Sequence, residues 1–144
     1  MSKIKFAIIG CGRIGGRHAE HIRNQGVLVD VCDIDEQKSR DFAEKFDCVA
    51  HGSVADLLRC TEADVISVCS PNGLHFEHSM ASLKAKKHVL CEKPMAINVD
   101  DCGVMISESL KVNRRLFIVK QNRFNPPVAA VKEAVDRGKF GKIL

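Results

Sequence analysis

The chain has 144 residues, of which 45% are hydrophobic and 28% are charged, and its formal net charge is +4. This composition is ordinary for a globular protein, and it excludes a disordered tail, a collagen-like chain and a coiled-coil rod. The apolar runs are too short to cross a bilayer, and the N-terminus predicts a first strand rather than a secretion signal.

Strand-like and helix-like segments alternate along the sequence. The apolar runs are mostly continuous rather than alternating, as expected for strands that are covered on both faces. The predicted strands are Ile4–Ile9, Val27–Cys32, Val65–Cys69, His88–Cys91 and Leu116–Val119, with a weaker one at Cys48–Ala50. The predicted helices are Arg13–Gln25, Glu36–Phe46, Ser53–Arg59, His75–Lys86 and Asn98–Val112. This order predicts an α/β fold built on a doubly wound parallel sheet, a Rossmann domain.

The pattern changes after the last of these strands. The segment Asn125–Pro127 interrupts the chain, a helix is predicted over Val128–Arg137, and Phe140–Leu144 resembles the beginning of another strand. We therefore expect a dinucleotide-binding Rossmann domain over residues 1–121. Residues 122–144 are expected to form a linker helix and the start of a second, α+β substrate domain, before which the chain is truncated.

A glycine-rich turn follows the first predicted strand. Gly10, Gly12 and Gly15 stand in the spacing G-x-G-x-x-G, with Arg13 and Ile14 between the last two. The first glycine allows the sharp turn, the second lets a diphosphate approach the backbone, and the third lets the helix pack close to the strand. Free N–H groups at the start of the helix then attract the phosphates. We therefore predict that these five residues bind a dinucleotide.

An acidic residue, Asp33, ends the second predicted strand. A carboxylate at this point can accept hydrogen bonds from both hydroxyls of the adenosine ribose and repels a 2′-phosphate, which favours NAD over NADP. Methyltransferases that use S-adenosylmethionine have a similar loop and acid. Their loop usually reads G-x-G-x-G, however, and here Ile14 occupies the place of the last glycine. The glycine spacing therefore favours a dinucleotide over this alternative.

Polar residues follow the next two strands of the predicted sheet, at the edge where ligands bind in such folds. One group lies in the loop SPNGLH, and the other is Glu92 and Lys93, which come directly before Pro94. Two opposite charges at the end of a buried strand are unusual in a plain connector, although an exposed local ion pair between them is the simpler alternative. The candidate cofactor-binding residues of the loop are Ser70, Pro71, Asn72 and His75.

Together these pieces resemble the Gfo/Idh/MocA family of sugar-type oxidoreductases. The resemblance is carried by GCGRIG at 10–15, SPNGLH at 70–75, HVLCEKP at 88–94 and the region of Arg123. The stretch VKQNRFNPP at 119–127 more narrowly resembles the branch that acts on UDP-N-acetylglucosaminuronic acid in lipopolysaccharide and O-antigen synthesis. The resemblance implies NAD as cofactor, a sugar or nucleotide-sugar substrate, and a full-length protein that forms homo-oligomers.

The resemblance also implies roles for single residues. Glu92 would hydrogen-bond the nicotinamide-side ribose, and Lys93 would be the catalytic residue that reaches the reacting carbinol and moves its proton. The chemistry requires such a base, because hydride leaves for the nicotinamide while the hydroxyl proton needs an acceptor. The remaining implied roles are cofactor contacts for Asn72, His75 and Arg123 and a cis peptide bond before Pro94.

The remaining histidines and cysteines carry no motif. His18, His21, His51 and His78 are interpreted as ordinary surface or half-buried residues. The number of cysteines, seven, is odd, and no two of them are in C-x-x-C spacing, which argues against a disulfide scaffold and against a zinc site. A reducing, cytoplasmic compartment is therefore expected. We expect no metal site, and Cys91 is interpreted as a core thiol rather than a nucleophile. Because Trp and Tyr are absent and no nucleic-acid motif occurs, a nucleic-acid partner is not expected.

The sequence thus predicts the NAD-binding domain of a dehydrogenase that oxidises a secondary hydroxyl of a sugar or nucleotide-sugar acid. A non-catalytic NAD-sensing module, in which Lys93 is only structural, is the alternative, and a methyltransferase domain is less favoured. Without its second domain, the chain is expected to bind cofactor weakly and to turn over nothing.

Overall fold

The computed structural model describes residues 3–142, which form one parallel sheet with helices on both faces. The strands are β1 (Lys5–Ile9), β2 (Val27–Cys32), β3 (Val49–His51), β4 (Val65–Val68), β5 (His88–Cys91) and β6 (Leu116–Ile118). The helices are α1 (Arg13–Gln25), α2 (Glu36–Phe46), α3 (Val54–Cys60), α4 (His75–Lys84), α5 (Val99–Lys111) and α6 (Pro126–Asp136), and short 3-10 helices cover Asn72–Leu74 and Gln121–Phe124. No helix within residues 3–142 has the length and apolar character needed to cross a membrane.

The strands lie in the order β3-β2-β1-β4-β5-β6, and neighbouring strands pair in parallel. The winding therefore changes direction between β1 and β4, which is the switch point where ligands bind in doubly wound folds. Ile9 at the end of β1 is paired with Cys32 on one side and with Val68 on the other. The carboxyl ends of the central strands consequently meet at one edge, and the prediction of a Rossmann sheet is confirmed.

Alternate residues of the central strand supply two separate cores. Ile8 points to the face covered by α1 and α2, whereas Ala7 and Ile9 point to the opposite face. Burying a large aliphatic or aromatic side chain contributes roughly 1.5–3 kcal/mol, so both cores hold the strand ends at a fixed spacing. The core that contains Ile8 includes Ala19, Ile22, Val31 and Phe42, and the core that contains Ile9 includes Leu57, Ile66, Leu83 and Val89.

The start of α1 differs from the starts of α2, α3 and α5. Asp35, Ser53 and Asn98 cap α2, α3 and α5, and each side chain accepts a hydrogen bond from the backbone N–H three residues later. The N-cap of α1 is Gly12, which has no side chain to serve this purpose. The first N–H groups of α1 are therefore left for water or a bound anion.

The C-terminal prediction is partly wrong. Helix α6 begins at Pro126 rather than at Val128, because a proline in the first turn of a helix lacks only an N–H that has no helical partner. Residues 140–142 are turn or irregular instead of strand, and residues 143 and 144 of that predicted strand lie outside the described residues. The 3-10 helix Gln121–Phe124 that precedes α6 was not predicted.

Candidate functional site

The glycine turn joins β1 to α1, and its three glycines meet different constraints. Gly10 has a φ of +103°, and a Cβ there would lie 2.7 Å from the backbone carbonyl carbon of Cys69. A Cβ on Gly15 would collide with the carbonyl oxygen of Gly10. A Cβ on Gly12, by contrast, would meet no atom within 4 Å. Packing therefore requires the first and third glycines, whereas the second leaves open space over the start of α1.

Asp33 follows β2 and stabilises the glycine turn. Its Oδ2 accepts a hydrogen bond from the backbone N–H of Cys11 at 2.8 Å, and its Oδ1 accepts one from the backbone N–H of Asp35 at 3.0 Å. A carboxylate has about four acceptor positions, so both oxygens can still receive ribose hydroxyls. The prediction placed this acid beside the turn but did not anticipate that it also holds the turn in shape.

A first cleft of about 300 Å³ opens on the β2 side of the turn. Its walls are mostly apolar, and Asp33 lies at its border. An apolar pocket with a carboxylate in its lining suits an adenine ring and its ribose. Its lining includes Ile9, Ile34, Val54, Pro71, Leu74 and His78.

A second cleft of about 480 Å³ opens on the other side of the turn, towards β5 and β6. Its lining is polar and rich in cations, in contrast to the first cleft. Ser70 borders both clefts, so the two are adjacent halves of one groove along the carboxyl edge of the sheet. The second cleft is lined by Arg13, Ile14, Arg17, His18, His21, Asn72, His75, Glu92, Lys93 and Gln121, among others.

Glu92 lies at the end of β5 and is held by His18, which the sequence alone marked as an ordinary residue. Its Oε1 is 2.8 Å from Nε2 of His18, whose Nδ1 is 2.6 Å from the hydroxyl of Ser67 on β4. The side chains of His18 and Glu92 are only 13% and 14% exposed. The predicted position of Glu92 at the ligand edge is found, but its partner is His18 rather than Lys93.

Lys93 is exposed at the mouth of the second cleft. Within residues 3–142, none of the ion pairs involves this lysine, so the simple alternative of a Glu92–Lys93 ion pair is wrong. Its backbone N–H donates to Oε2 of Glu92 at 3.2 Å. The peptide bond between Lys93 and Pro94 is cis, as the family resemblance implied.

His75 connects the two loops that border the second cleft. Its Nδ1 is 2.6 Å from the carbonyl oxygen of Pro94, and its Nε2 is 2.9 Å from the carbonyl oxygen of Ser70. The residue is only 1% exposed, and both of its ring nitrogens face backbone carbonyl oxygens. His78 makes a similar link, with Nδ1 2.9 Å from the hydroxyl of Ser70, and burial lowers its pKa.

The remaining candidates are divided between the clefts and the surface. Asn72 lines the second cleft and Pro71 the first, as their position after β4 predicted. Arg123 is exposed on the 3-10 helix Gln121–Phe124 and lines neither cleft, although its neighbour Gln121 does. The role of Arg123 therefore stays a prediction.

The cysteines near the site are unreactive by environment. Burial raises the pKa of the Cys11 thiol to about 12, and it raises the pKa of Cys69 to about 12 as well. Cys91 is fully buried, and burial raises its pKa too. Since the thiolate is the nucleophilic form, none of the three is suited to covalent catalysis.

The family profile of the Gfo/Idh/MocA oxidoreductases, described as having an NAD-binding Rossmann fold, matches residues 4–120. The chain belongs to this family. The resemblance stated from the motifs is thus confirmed, as is NAD as the cofactor of this Rossmann domain. The match gives no support to the methyltransferase alternative.

Curated relatives and solved structures agree with this assignment. Myo-inositol 2-dehydrogenase of Thermotoga maritima is 36% identical over 96% of the chain and 42% of its own length. D-glucoside 3-dehydrogenase of Escherichia coli is 35% identical over 99% of the chain and 42% of its own length. The WlbA dehydrogenase of Chromobacterium violaceum, solved with NADH and UDP-GlcNAcA, gives a TM-score of 0.95 at 37% identity over 99% of the chain and 42% of its own. The chain therefore spans about two fifths of the length of these relatives.

The residues present fit the cofactor of the family. The space above Gly12 would be filled by a Cβ, and it lies over the uncapped N–H groups of α1. The turn on either side of Gly12 borders both clefts, since Gly10 lines the apolar cleft that contains Asp33 and Arg13 lines the polar cleft that contains Lys93. This arrangement accommodates an adenosine on one side, a diphosphate in the middle and a nicotinamide riboside on the other.

Proposed function

We propose that the full-length protein is an NAD-dependent dehydrogenase that oxidises a secondary hydroxyl of a sugar or nucleotide-sugar acid. The observation that carries the proposal is the placement of Lys93 in the second cleft, next to Glu92 and outside every ion pair of the described residues. The names of the relatives support the reaction class, because they act on cyclitol and sugar hydroxyls. Bound NAD would supply the hydride acceptor.

The chain's own residues have distinct tasks in this proposal. Asp33 binds the adenosine ribose, the backbone at Gly12 binds the diphosphate, and Glu92 binds the nicotinamide-side ribose. Lys93, which lines the second cleft, then accepts the proton of the substrate hydroxyl as hydride leaves the carbinol carbon. Ser70 borders both clefts, which supports a contact between this residue and the middle of the cofactor.

The charge of the second cleft supports an anionic substrate over a neutral cyclitol. Arg13, Arg17 and Lys93 line it, and none of the three is in an ion pair of the described residues. The diphosphate of the cofactor accounts for cations next to Gly12. Arg17 lies one turn farther along α1, which favours a second anionic group, such as the uronate or diphosphate of a nucleotide-sugar acid. The WlbA structure of Chromobacterium violaceum contains such a compound, UDP-GlcNAcA.

The proposal includes a second domain and an assembly. The share of the relatives covered, near 42%, supports a substrate domain beyond the linker of residues 122–144. The exposed apolar side chains Val128, Val131 and Val135 of α6 would pack against it. We also propose that the full-length protein forms homo-oligomers, as the family resemblance implies. A cytoplasmic location is proposed because all seven cysteines are free, and a reducing compartment maintains free thiols.

Replacing Lys93 in the full-length protein tests the enzymatic proposal. In Lys93→Ala, turnover of NAD with UDP-GlcNAcA is expected to fall by at least about 100-fold, the lower range for a lost general base, while NADH affinity changes little. Lys84→Ala, on the far end of α4 and exposed, is the matched control and should retain turnover. If Lys93→Ala keeps wild-type turnover, the catalytic role is wrong. If wild type binds NADH but oxidises no sugar or cyclitol offered, a sensing module is the better conclusion.

A further inference from the structure

The strongest unexplained feature of the site is a chain of three polar side chains that crosses the sheet edge. The hydroxyl of Ser67 on β4 is 2.6 Å from Nδ1 of His18 on α1, and Nε2 of His18 is 2.8 Å from Oε1 of Glu92. Ser67 is fully buried, and the other two side chains are less than 15% exposed. Burying three such groups is costly unless each one is hydrogen-bonded, as they are here.

The direction of each hydrogen bond follows from the donors available. An ionised Glu92 carboxylate can only accept, so Nε2 of His18 carries the proton and donates it to Oε1. Nδ1 of the same ring is then free to accept the hydrogen bond of the Ser67 hydroxyl. The Glu92 carboxylate therefore selects the ring tautomer that has its donor on Nε2, and the Ser67 hydroxyl fixes the orientation of the ring through Nδ1.

The second oxygen of Glu92 is restrained from another direction. Oε2 accepts from the backbone N–H of Lys93 at 3.2 Å, so the two oxygens are bound by different elements. The carboxylate is thereby held in one orientation at the edge of the second cleft. Free acceptor positions remain on both oxygens for hydroxyl groups that enter the cleft.

We infer that His18 is a positioning residue, which together with Ser67 holds the Glu92 carboxylate in place for the hydroxyls of the nicotinamide-side ribose. The benefit is preorganisation, because a carboxylate that is already oriented does not have to be ordered when the ligand binds. The inference rests on the proposed function in one respect, the contact between Glu92 and that ribose.

Two substitutions of His18 separate positioning from mere structural support. The amide of Asn overlays Nδ1 of a histidine ring, whereas the amide of Gln reaches the position of Nε2. His18→Asn should therefore lose the bond to Glu92, and His18→Gln should keep a donor to it. Calorimetric titration with NADH is expected to show about tenfold weaker binding for His18→Asn, equivalent to one lost hydrogen bond to a charged group. His18→Gln should stay within about threefold of wild type.

ADP is the second probe, because it contains the adenosine and the diphosphate but lacks the nicotinamide-side ribose. The affinity of His18→Asn for ADP should stay within about twofold of wild type. The double variant His18→Asn/Glu92→Ala should bind NADH no more weakly than Glu92→Ala alone, because His18 acts through Glu92. The matched control is His88→Asn, which lies at the opposite end of β5 and should change neither affinity. Should His18→Asn not fold, Ser67→Ala replaces it, with about a threefold loss of NADH affinity expected and ADP unchanged.

The outcomes are distinguishable. The positioning role of His18 would be overturned if His18→Asn lost as much affinity for ADP as for NADH, or if it lost no affinity for NADH. It would also be overturned if His18→Asn still weakened NADH binding in a Glu92→Ala background. If the unmodified chain binds ADP but gains no affinity from the nicotinamide riboside of NADH, the ribose contact of the proposed function is itself wrong.

Discussion

A methyl group added at Gly12 is expected to separate cofactor binding from folding. Gly12 has φ −77° and ψ −169°, which other residues adopt freely, and its added Cβ would meet no atom within 4 Å. Gly12→Ala should therefore fold with a stability within about 1 kcal/mol of wild type, because the reduced entropy of the unfolded chain is offset by alanine being a poorer N-cap than glycine. The same methyl group would occupy the space over the first N–H groups of α1. Losing one charge-assisted hydrogen bond to the diphosphate costs about 1.5–3 kcal/mol, which weakens NADH binding by roughly 10- to 100-fold.

Two other glycines of the same segment provide the controls. A Cβ added at Gly16 would also meet no atom within 4 Å, but this residue lies inside α1, so Gly16→Ala should gain stability and keep its NADH affinity. Gly10→Ala should lose stability, because Gly10 has φ +103° and its Cβ would press against the backbone of Cys69. Urea unfolding and NADH calorimetry measure the two effects separately. A folded Gly12→Ala variant with wild-type NADH affinity would show that the diphosphate does not lie over this glycine.

Two further predictions concern charge. Asp33→Asn should reduce the preference for NAD over NADP by about tenfold, since a neutral amide no longer repels a 2′-phosphate and a half-exposed charge is worth about 1–2 kcal/mol here. Parallel titrations with NAD and NADP measure the ratio of the two affinities, and exposed Glu44→Gln on α2 is the charge-matched control. An unchanged ratio in Asp33→Asn would contradict the role of Asp33 in repelling a 2′-phosphate. The second prediction follows from Cys11, whose folded pKa of about 12 lies above the ordinary value of 9.0 because of burial. Its contribution to stability is complete below pH 9 and is lost as the pH rises towards 12, so Cys11 alone should account for about 1 kcal/mol of the stability lost between pH 8 and pH 10 in urea unfolding. The other thiols whose pKa burial raises, those of Cys32, Cys48, Cys69 and Cys91, add their own losses over the same pH range. Cys11→Ala should reduce this difference.

The central strands were predictable because their sequences are continuous apolar runs with turn residues after them. A strand buried on both faces needs such a run whatever its neighbours are. The edge strand Val49–His51 gave a weaker signal because it has only one neighbour and three residues. The start of α6 was misjudged since a proline at the first turn of a helix and a proline that ends a helix look alike in isolation.

The positions of Asp33, Glu92 and Lys93 were predictable for a different reason. The carboxyl ends of parallel strands share one edge, so residues that follow successive strands come together without any knowledge of packing. The partner of Glu92 was not predictable in this way, because His18 is 74 residues away and meets it only across the packed sheet. The available signal was that His18 stands between Ile14 and Ile22 on the helix face that packs against the strand ends.

A crystal structure of this chain with NADH would test the assigned cofactor orientation most directly. We expect the adenosine ribose within hydrogen-bonding distance of Asp33, the diphosphate over the backbone of Gly12, and the nicotinamide-side ribose against Glu92 with the nicotinamide facing Lys93. A nucleotide bound in the reverse direction, or one that leaves the cleft of Glu92 and Lys93 empty, would contradict this orientation and the roles derived from it.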